Sequence, residues 1–172
     1  MIPALLRTAG DRTAARPAKH AGHADVLLVA SSGGHLLELL ELADEYPRIS
    51  RHWVTFDKPD ARALLTGERV TFAYSPTNRH IGNLIRNAFL ALRVLLHTRP
   101  RAVITTGAGV AVPFLYAARA MGRRAIYVES LARIDQLSLT GRLVYPVVTH
   151  FFVQWPELAR RYRRGRYVGS IL

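Results

Sequence analysis

Short apolar and β-branched runs alternate along this chain with segments whose apolar residues return at helical spacing. Residues 25–31 (DVLLVAS) read as a buried strand, and residues 35–46 (HLLELLELADEY) as an amphipathic helix with Leu36, Leu39, Leu40 and Ala43 on one side. HWVTF (52–56) is a second strand. KPDARALLTG is a short helix with proline near its start and Gly67 at its end. RVTFAY is a third strand, and after the breaker SPTN a long helix covers about residues 80–98. RAVITT is a fourth strand, GAGVAVPFLYAARAMG a loop and helix closed by Gly122, and RRAIYVES a fifth strand. SLTGRLVYP is a short helix, THFFVQW a sixth strand, 156–162 a last small helix and RYVG a candidate seventh strand.

Strands that alternate with helices predict an α/β protein: a single Rossmann-like, doubly wound parallel sheet with helices on both faces. In such sheets ligands bind at the carboxyl ends of the strands, beside the switch point in strand order. Two glycine clusters fall there, Gly33-Gly34 after strand one and Gly107-Ala108-Gly109 after strand four. In the order 3-2-1-4-5-6 those strands are neighbours, so both loops are expected to face one cleft.

Composition narrows the partners. The 172 residues suit one domain, and the net charge of +12 selects anionic ligands: nucleic acid, acidic lipid or phosphorylated substrates. The absence of cysteine excludes disulfides and thiolate metal sites. The uncharged stretch 102–118 falls short of the roughly 20 residues of a spanning helix and contains glycine and proline. Residues 1–24 lack the apolar core of a signal peptide and read as a disordered basic tail, with residues 25–172 as the folded domain.

Four features bear on chemistry. At Ser32-Gly33-Gly34-His35, glycines let backbone N–H groups approach a ligand, and the following helix offers its positive end to an anion. The same turn also serves as a plain strand-to-helix connection. His35 suits either a general base or a phosphate donor. Thr106-Gly107-Ala108-Gly109 offers a second anion or hydroxyl site, or a tight connection. Glu129, at the end of strand five, suits proton acceptance from a sugar hydroxyl, pairing with a basic residue, or a helix-start position; Arg133 and Asp135 beyond it are placed to pair with each other.

The fourth feature is the long helix. RHIGNLIRNAFLALRVLLHTRP contains no acid. Ile81, Leu84, Ile85, Ala88, Leu92 and Leu95 form one apolar face, Arg79, Arg86 and Arg93 recur every seven residues on another, and Phe89 and Leu96 widen the apolar surface. This pattern fits a helix lying on a membrane surface, or an ordinary core helix with a solvated arginine edge. The arginines are not interleaved with aromatics as in nucleic-acid readers. RRYRRGR (160–166) adds a compact basic cluster.

SSGGHLLELLEL, TNRHIGNLIRNAFLALRVL, VITTGAGVAVPFLYAARAMG, YVESLARIDQLSLTGRLVYPV and FFVQWPEL, in that order, resemble the Alg-fourteen-like glycosyltransferase subunits, especially bacterial polysaccharide-biosynthesis proteins of the PssD type. The likeness runs from about Val26 to Gly169, and the layout is also similar to the N-terminal half of MurG.

The resemblance implies half of a two-domain glycosyltransferase of the B fold, inactive alone. This half would carry the acceptor site and the membrane contact; a separate small subunit would hold the nucleotide sugar, a UDP-sugar. The acceptor would be a lipid-diphosphate-linked saccharide, and the setting the cytoplasmic face of an anionic membrane, bound peripherally. By position, Ser32, Gly33, Gly34, Thr106, Gly107, Ala108 and Gly109 would face the acceptor diphosphate and sugar, with His35 and Glu129 as candidate catalytic residues. Arg79, Ile81, Leu84, Ile85, Arg86, Phe89 and Arg93 would meet the membrane, in place of the N-terminal membrane helix of eukaryotic members. No cofactor, metal or nucleic acid is expected. The chain reaches its end at YVGSIL without a donor-site segment, and the basic cluster beside it is the expected docking surface for the small subunit. The rival class is a non-catalytic nucleotide- or nucleic-acid-binding α/β protein.

Overall fold

The structure is a computed structural model that describes residues 22–77 and 80–171. Seven strands form one sheet: β1 (Val26–Val29), β2 (Arg51–Phe56), β3 (Val70–Ala73), β4 (Ala102–Thr105), β5 (Arg124–Val128), β6 (His150–Val153) and β7 (Gly165–Tyr167). Their order is β3-β2-β1-β4-β5-β6-β7, and every neighbouring pair is parallel. The expected order holds, and the candidate seventh strand is a real edge strand. Six helices connect them: α1 (Gly34–Asp44), α2 (Pro59–Leu64), α3 (Ile81–Thr98), α4 (Ala111–Ala120), α5 (Leu139–Val144) and α6 (Pro156–Arg161).

Successive strand side chains point to opposite faces, which splits the core in two. Leu27, Val29, Val103 and Tyr127 meet α3, α4 and α5 through Ala91, Phe114 and Val144. Val26, Leu28, Ile104 and Val128 meet α1 and α2 through Leu36, Leu39 and Ala61, and the segment after β7 completes this second face with Val168 and Ile171. Burying each large aliphatic side chain here is worth about 1.5–3 kcal/mol.

The N-terminal boundary shifts slightly. Ala24 is buried and its N–H donates to Thr98 O at 3.0 Å, so packing begins ahead of Asp25. Of the expected tail at 1–24, residues 1–21 lie outside the described residues. Among the described residues no helix is long and apolar enough to cross a membrane.

The largest departure concerns α3. Its core side carries Asn83, Asn87, Ala91, Val94, Leu95 and Thr98. Ile81, Leu84, Ile85, Phe89, Leu92 and Leu96 are all exposed, Ile81 by 74% and Phe89 by 70%. Of the expected apolar face, only Leu95 is fully buried. Hydrogen bonding explains the orientation. Asn87 Oδ1 accepts from Tyr74 N at 2.9 Å while its Nδ2 donates to Tyr74 O at 2.9 Å, and Asn83 Nδ2 donates to Pro76 O at 2.8 Å. These bonds satisfy the backbone that leaves β3, and they turn the apolar stripe outward.

Candidate functional site

The loops after β1, β4 and β5 meet at the carboxyl edge of the sheet, where β1 and β4 are neighbours. The turn after β1 depends on Gly33, whose φ of 79° and ψ of −144° only glycine adopts readily. Its carbonyl accepts from Leu36 N and Leu37 N at 2.9 and 3.1 Å, which starts α1. Its N–H donates to Asp60 Oδ2 of α2 at 2.8 Å. The expectation that Gly33 presents a free amide to a diphosphate is therefore corrected: a carboxylate already holds that amide. The first-turn N–H groups of Gly34 and His35 have no intrahelical partner, and Gly34 is exposed. Ser32 stands half-buried beside them.

The β4 loop folds on its own threonines. Gly107 N donates to Thr105 Oγ1 at 3.0 Å, and that hydroxyl donates to Gly107 O at 3.0 Å. Thr106 is fully buried, and its hydroxyl donates to His35 O at 2.6 Å. Thr106 is thus a clamp between the two loops, not an exposed ligand group, which corrects its expected role. Ala108 has a φ of 72°, left-handed backbone that a non-glycine residue adopts at a cost. Gly107 leaves room for the imidazole: a Cβ there would stand 2.9 Å from His35 Cε1. The His35 ring is half-buried against this loop, with Nδ1 buried and without a hydrogen-bond partner. Ala108 and Gly109 are half-exposed at the start of α4.

Glu129 needs the clearest correction. It is fully buried, and four donors reach its carboxylate: Tyr127 Oη at 3.1 Å and Ser130 N at 3.2 Å on Oε1, Ser138 N at 3.0 Å and Ser138 Oγ at 3.2 Å on Oε2. Gly141 abuts it so closely that a Cβ there would lie 2.3 Å from Oε2. A carboxylate has about four acceptor positions, so this one has none to offer a sugar hydroxyl. It pins the β5–α5 segment instead. Burial, followed by the Glu129 charge, pushes the Tyr127 phenol well above its usual range, so Tyr127 remains a donor. Arg133 and Asp135 make no ion pair; the Asp135 carbonyl accepts instead from Arg161 Nη1 at 3.2 Å.

Glu38, one turn beyond His35, reads in the sequence as one more polar position of an amphipathic helix. It is only 7% exposed, and its Oε1 accepts from Ser130 Oγ and Leu131 N, both at 3.0 Å. Its Oε2 is buried without a partner. Glu38 therefore ties α1 to the loop after β5, as Thr106 ties its start to the loop after β4. Asp60 was equally silent in the sequence; only its place in the first turn of a short helix, behind a proline, marks it as a backbone acceptor.

The outer surface of α3 sets exposed Arg86 and Arg93 beside its apolar residues, with Arg86 over the Tyr74 ring at 5.7 Å. Arg79 lies outside the described residues. The basic cluster at 160–166 divides. Arg164 is structural, donating to Tyr145 O and Val148 O and lying over the Tyr145 ring, while Arg160, Arg163 and Arg166 face solvent.

A doubly wound parallel sheet whose loops meet at the β1/β4 switch point makes this a Rossmann-like α/β protein. Solved structures share the fold. MurG of Acinetobacter baumannii superposes with a TM-score of 0.65 at 20% identity, over 77% of this chain and 42% of its own. The UDP-N-acetylglucosamine 2-epimerase of Rickettsia bellii does so with a TM-score of 0.66 at 16% identity, over 85% of this chain and 44% of its own. The chain thus spans less than half of either protein.

Sequence defines the group more closely. Residues 72–171 match the family described as "Oligosaccharide biosynthesis protein Alg14 like". The UDP-N-acetylglucosamine transferase subunit ALG14 of Eremothecium gossypii is 34% identical over 178 residues, 86% of this chain and 80% of that protein. The subunit of the same name from Homo sapiens is 26% identical over 86% of this chain and 82% of its own. The chain belongs to the Alg14-like family.

Proposed function

We propose that this protein is the acceptor-binding, membrane-recruiting subunit of a two-component inverting glycosyltransferase. It moves a sugar, N-acetylglucosamine by the names of its relatives, from a UDP-sugar to a lipid-diphosphate-linked saccharide at the cytoplasmic face of a membrane. A small partner holds the donor, and the chain alone is inactive. The observation that carries this reading is the convergence of the β1 and β4 loops at the carboxyl edge of the sheet, locked by the Thr106–His35 bond beside a half-exposed histidine.

In this reading the acceptor's diphosphate meets the positive end of α1 through the Gly34 and His35 amides. His35 takes the proton of the attacking hydroxyl, while the partner stabilises the departing nucleoside diphosphate. The exposed apolar stripe of α3 enters the lipid interface, and Arg86 and Arg93 meet anionic head groups. No cofactor takes part.

The test is reconstitution. The purified chain should transfer no sugar and bind nucleotide sugar weakly; adding the small donor-binding subunit should restore both. His35→Ala should then lower turnover about 10²–10⁴-fold. Full turnover by the chain alone overturns the two-component reading. Equal, salt-sensitive binding of lipid diphosphate and RNA would favour a purely electrostatic binder.

A further inference from the structure

We infer that Glu38 and His35 form a carboxylate–imidazole pair in which Glu38 is the positioning residue for the base. They stand three residues apart on α1, a spacing that brings side chains together on one helix face. Each contributes one buried polar atom without a partner, His35 Nδ1 and Glu38 Oε2. One is a donor when its nitrogen carries the proton; the other is an acceptor only. Buried polar atoms are rarely left unmatched, because each orphan forfeits its bonds to water. The structure records no direct bond between the two atoms; a hydrogen bond from Nδ1–H to Oε2, direct or through one water, would satisfy both.

Two other carboxylates near this edge of the sheet are already engaged. Glu129 has its acceptor positions filled by Tyr127, Ser130 and Ser138. Asp60 is engaged with Gly33 N at the outer side of the turn. Glu38 is held in place, since Oε1 is fixed by Ser130 Oγ and Leu131 N, which leaves Oε2 as the free oxygen. The imidazole lies in the space that the missing side chain of Gly107 leaves, where a Cβ would stand 3.2 Å from Nδ1.

The consequence is chemical. A carboxylate on Nδ1–H fixes the tautomer and leaves Nε2 unprotonated, which is the form a base requires. In transfer, the acceptor oxygen bonds to the anomeric carbon as the bond from that carbon to the nucleoside diphosphate breaks. The leaving group keeps that electron pair, and the hydroxyl proton passes to His35 Nε2. Glu38 then faces the imidazolium and stabilises its charge.

The kinetic consequence rests on the transferase reading; the tautomer does not. Imidazole ¹⁵N spectra of the full-length chain, with the His35 signal assigned by its loss in His35→Asn, should show the proton on Nδ1. Glu38→Gln keeps an acceptor for Ser130 and Leu131 but places an amide donor against the ring. It should move the proton to Nε2. In the reconstituted complex it should lower kcat on the order of 10²–10⁴-fold with KM little changed. Glu129→Gln should leave the tautomer as it is. A wild-type ring protonated on Nε2, or a Glu38→Gln variant with unchanged tautomer and kcat, overturns the pair. The tautomer shift in a system whose wild-type complex transfers nothing supports the pair and counts against the transferase reading alone.

Discussion

Helices α1 and α3 are both amphipathic, and they use that property in opposite directions. In α1 the apolar stripe of Leu36, Leu39 and Leu42 packs on the sheet and a single acid, Glu38, is buried with it. In α3 the apolar stripe faces out, and the side toward the sheet opens with two asparagines. The difference lies in what each helix must satisfy. α1 has one loop amide to serve, Leu131 N, which Glu38 accepts while the leucines beside it pack on the sheet. α3 begins beside residues 74–76, whose backbone groups find no strand partner and take Asn83 and Asn87 instead. A helix's hydrophobic period therefore finds its stripe, and local hydrogen-bond demand decides which way the stripe turns.

The sharpest way to break this comparison is to truncate equivalent leucines on the two helices. Leu39→Ala should destabilise the fold by about 2–5 kcal/mol, since it opens a cavity in a fully buried site. Leu96→Ala on α3, at a residue 61% exposed, should stay within about 0.5 kcal/mol. Urea unfolding of both variants reads the contrast directly. Equal losses would mean that the outer stripe of α3 is packed in solution.

A second step tests the asparagines. Asn87→Leu keeps the size of the side chain but strands Tyr74 N and Tyr74 O, so it should cost about 1–3 kcal/mol for each group left unpaired. A neutral result in the same unfolding assay would remove the reason given for α3's orientation.

The sheet was legible because its signal is redundant. Each strand is an apolar run ended by a breaker, and strand order follows from alternation with helices; even β7 was visible as RYVG. The loops were legible as positions, since Gly33-Gly34 and Gly107-Ala108-Gly109 do sit together at the switch point. Their bonding was not. Nothing in the sequence says that Asp60 holds Gly33 N, that Thr106 spends its hydroxyl on His35 O, or that Glu129 is ringed by donors. These partners are 27, 71 and 9 residues apart, and only the folded sheet brings them together. Glu38 was hidden for a related reason. An acid three residues after His35 reads as a solvated helix position, and its burial depends on the loop after β5 closing over it.

The smallest expected effect, per residue, concerns the outward face of α3 itself. If its stripe is a membrane surface, hydrophobic insertion and charge act together, and they can be separated. Each arginine near an anionic bilayer contributes about 1 kcal/mol. Arg86→Glu combined with Arg93→Glu should therefore weaken co-sedimentation with phosphatidylserine-containing vesicles by at least about tenfold and leave binding to neutral vesicles little changed. Ile85→Ser combined with Phe89→Ser removes the inserting side chains instead, and should lower binding to both kinds of vesicle. Neither pair touches the buried side of α3, where Asn83, Asn87 and Val94 hold the helix to the protein, so unfolding midpoints should remain near wild type. Binding that survives both double variants would place the membrane contact elsewhere, with the exposed Arg160, Arg163 and Arg166 next in line. The outward stripe of α3 would then be left to serve as an interface with another protein, whose apolar surface would have to cover Ile81, Phe89 and Leu96.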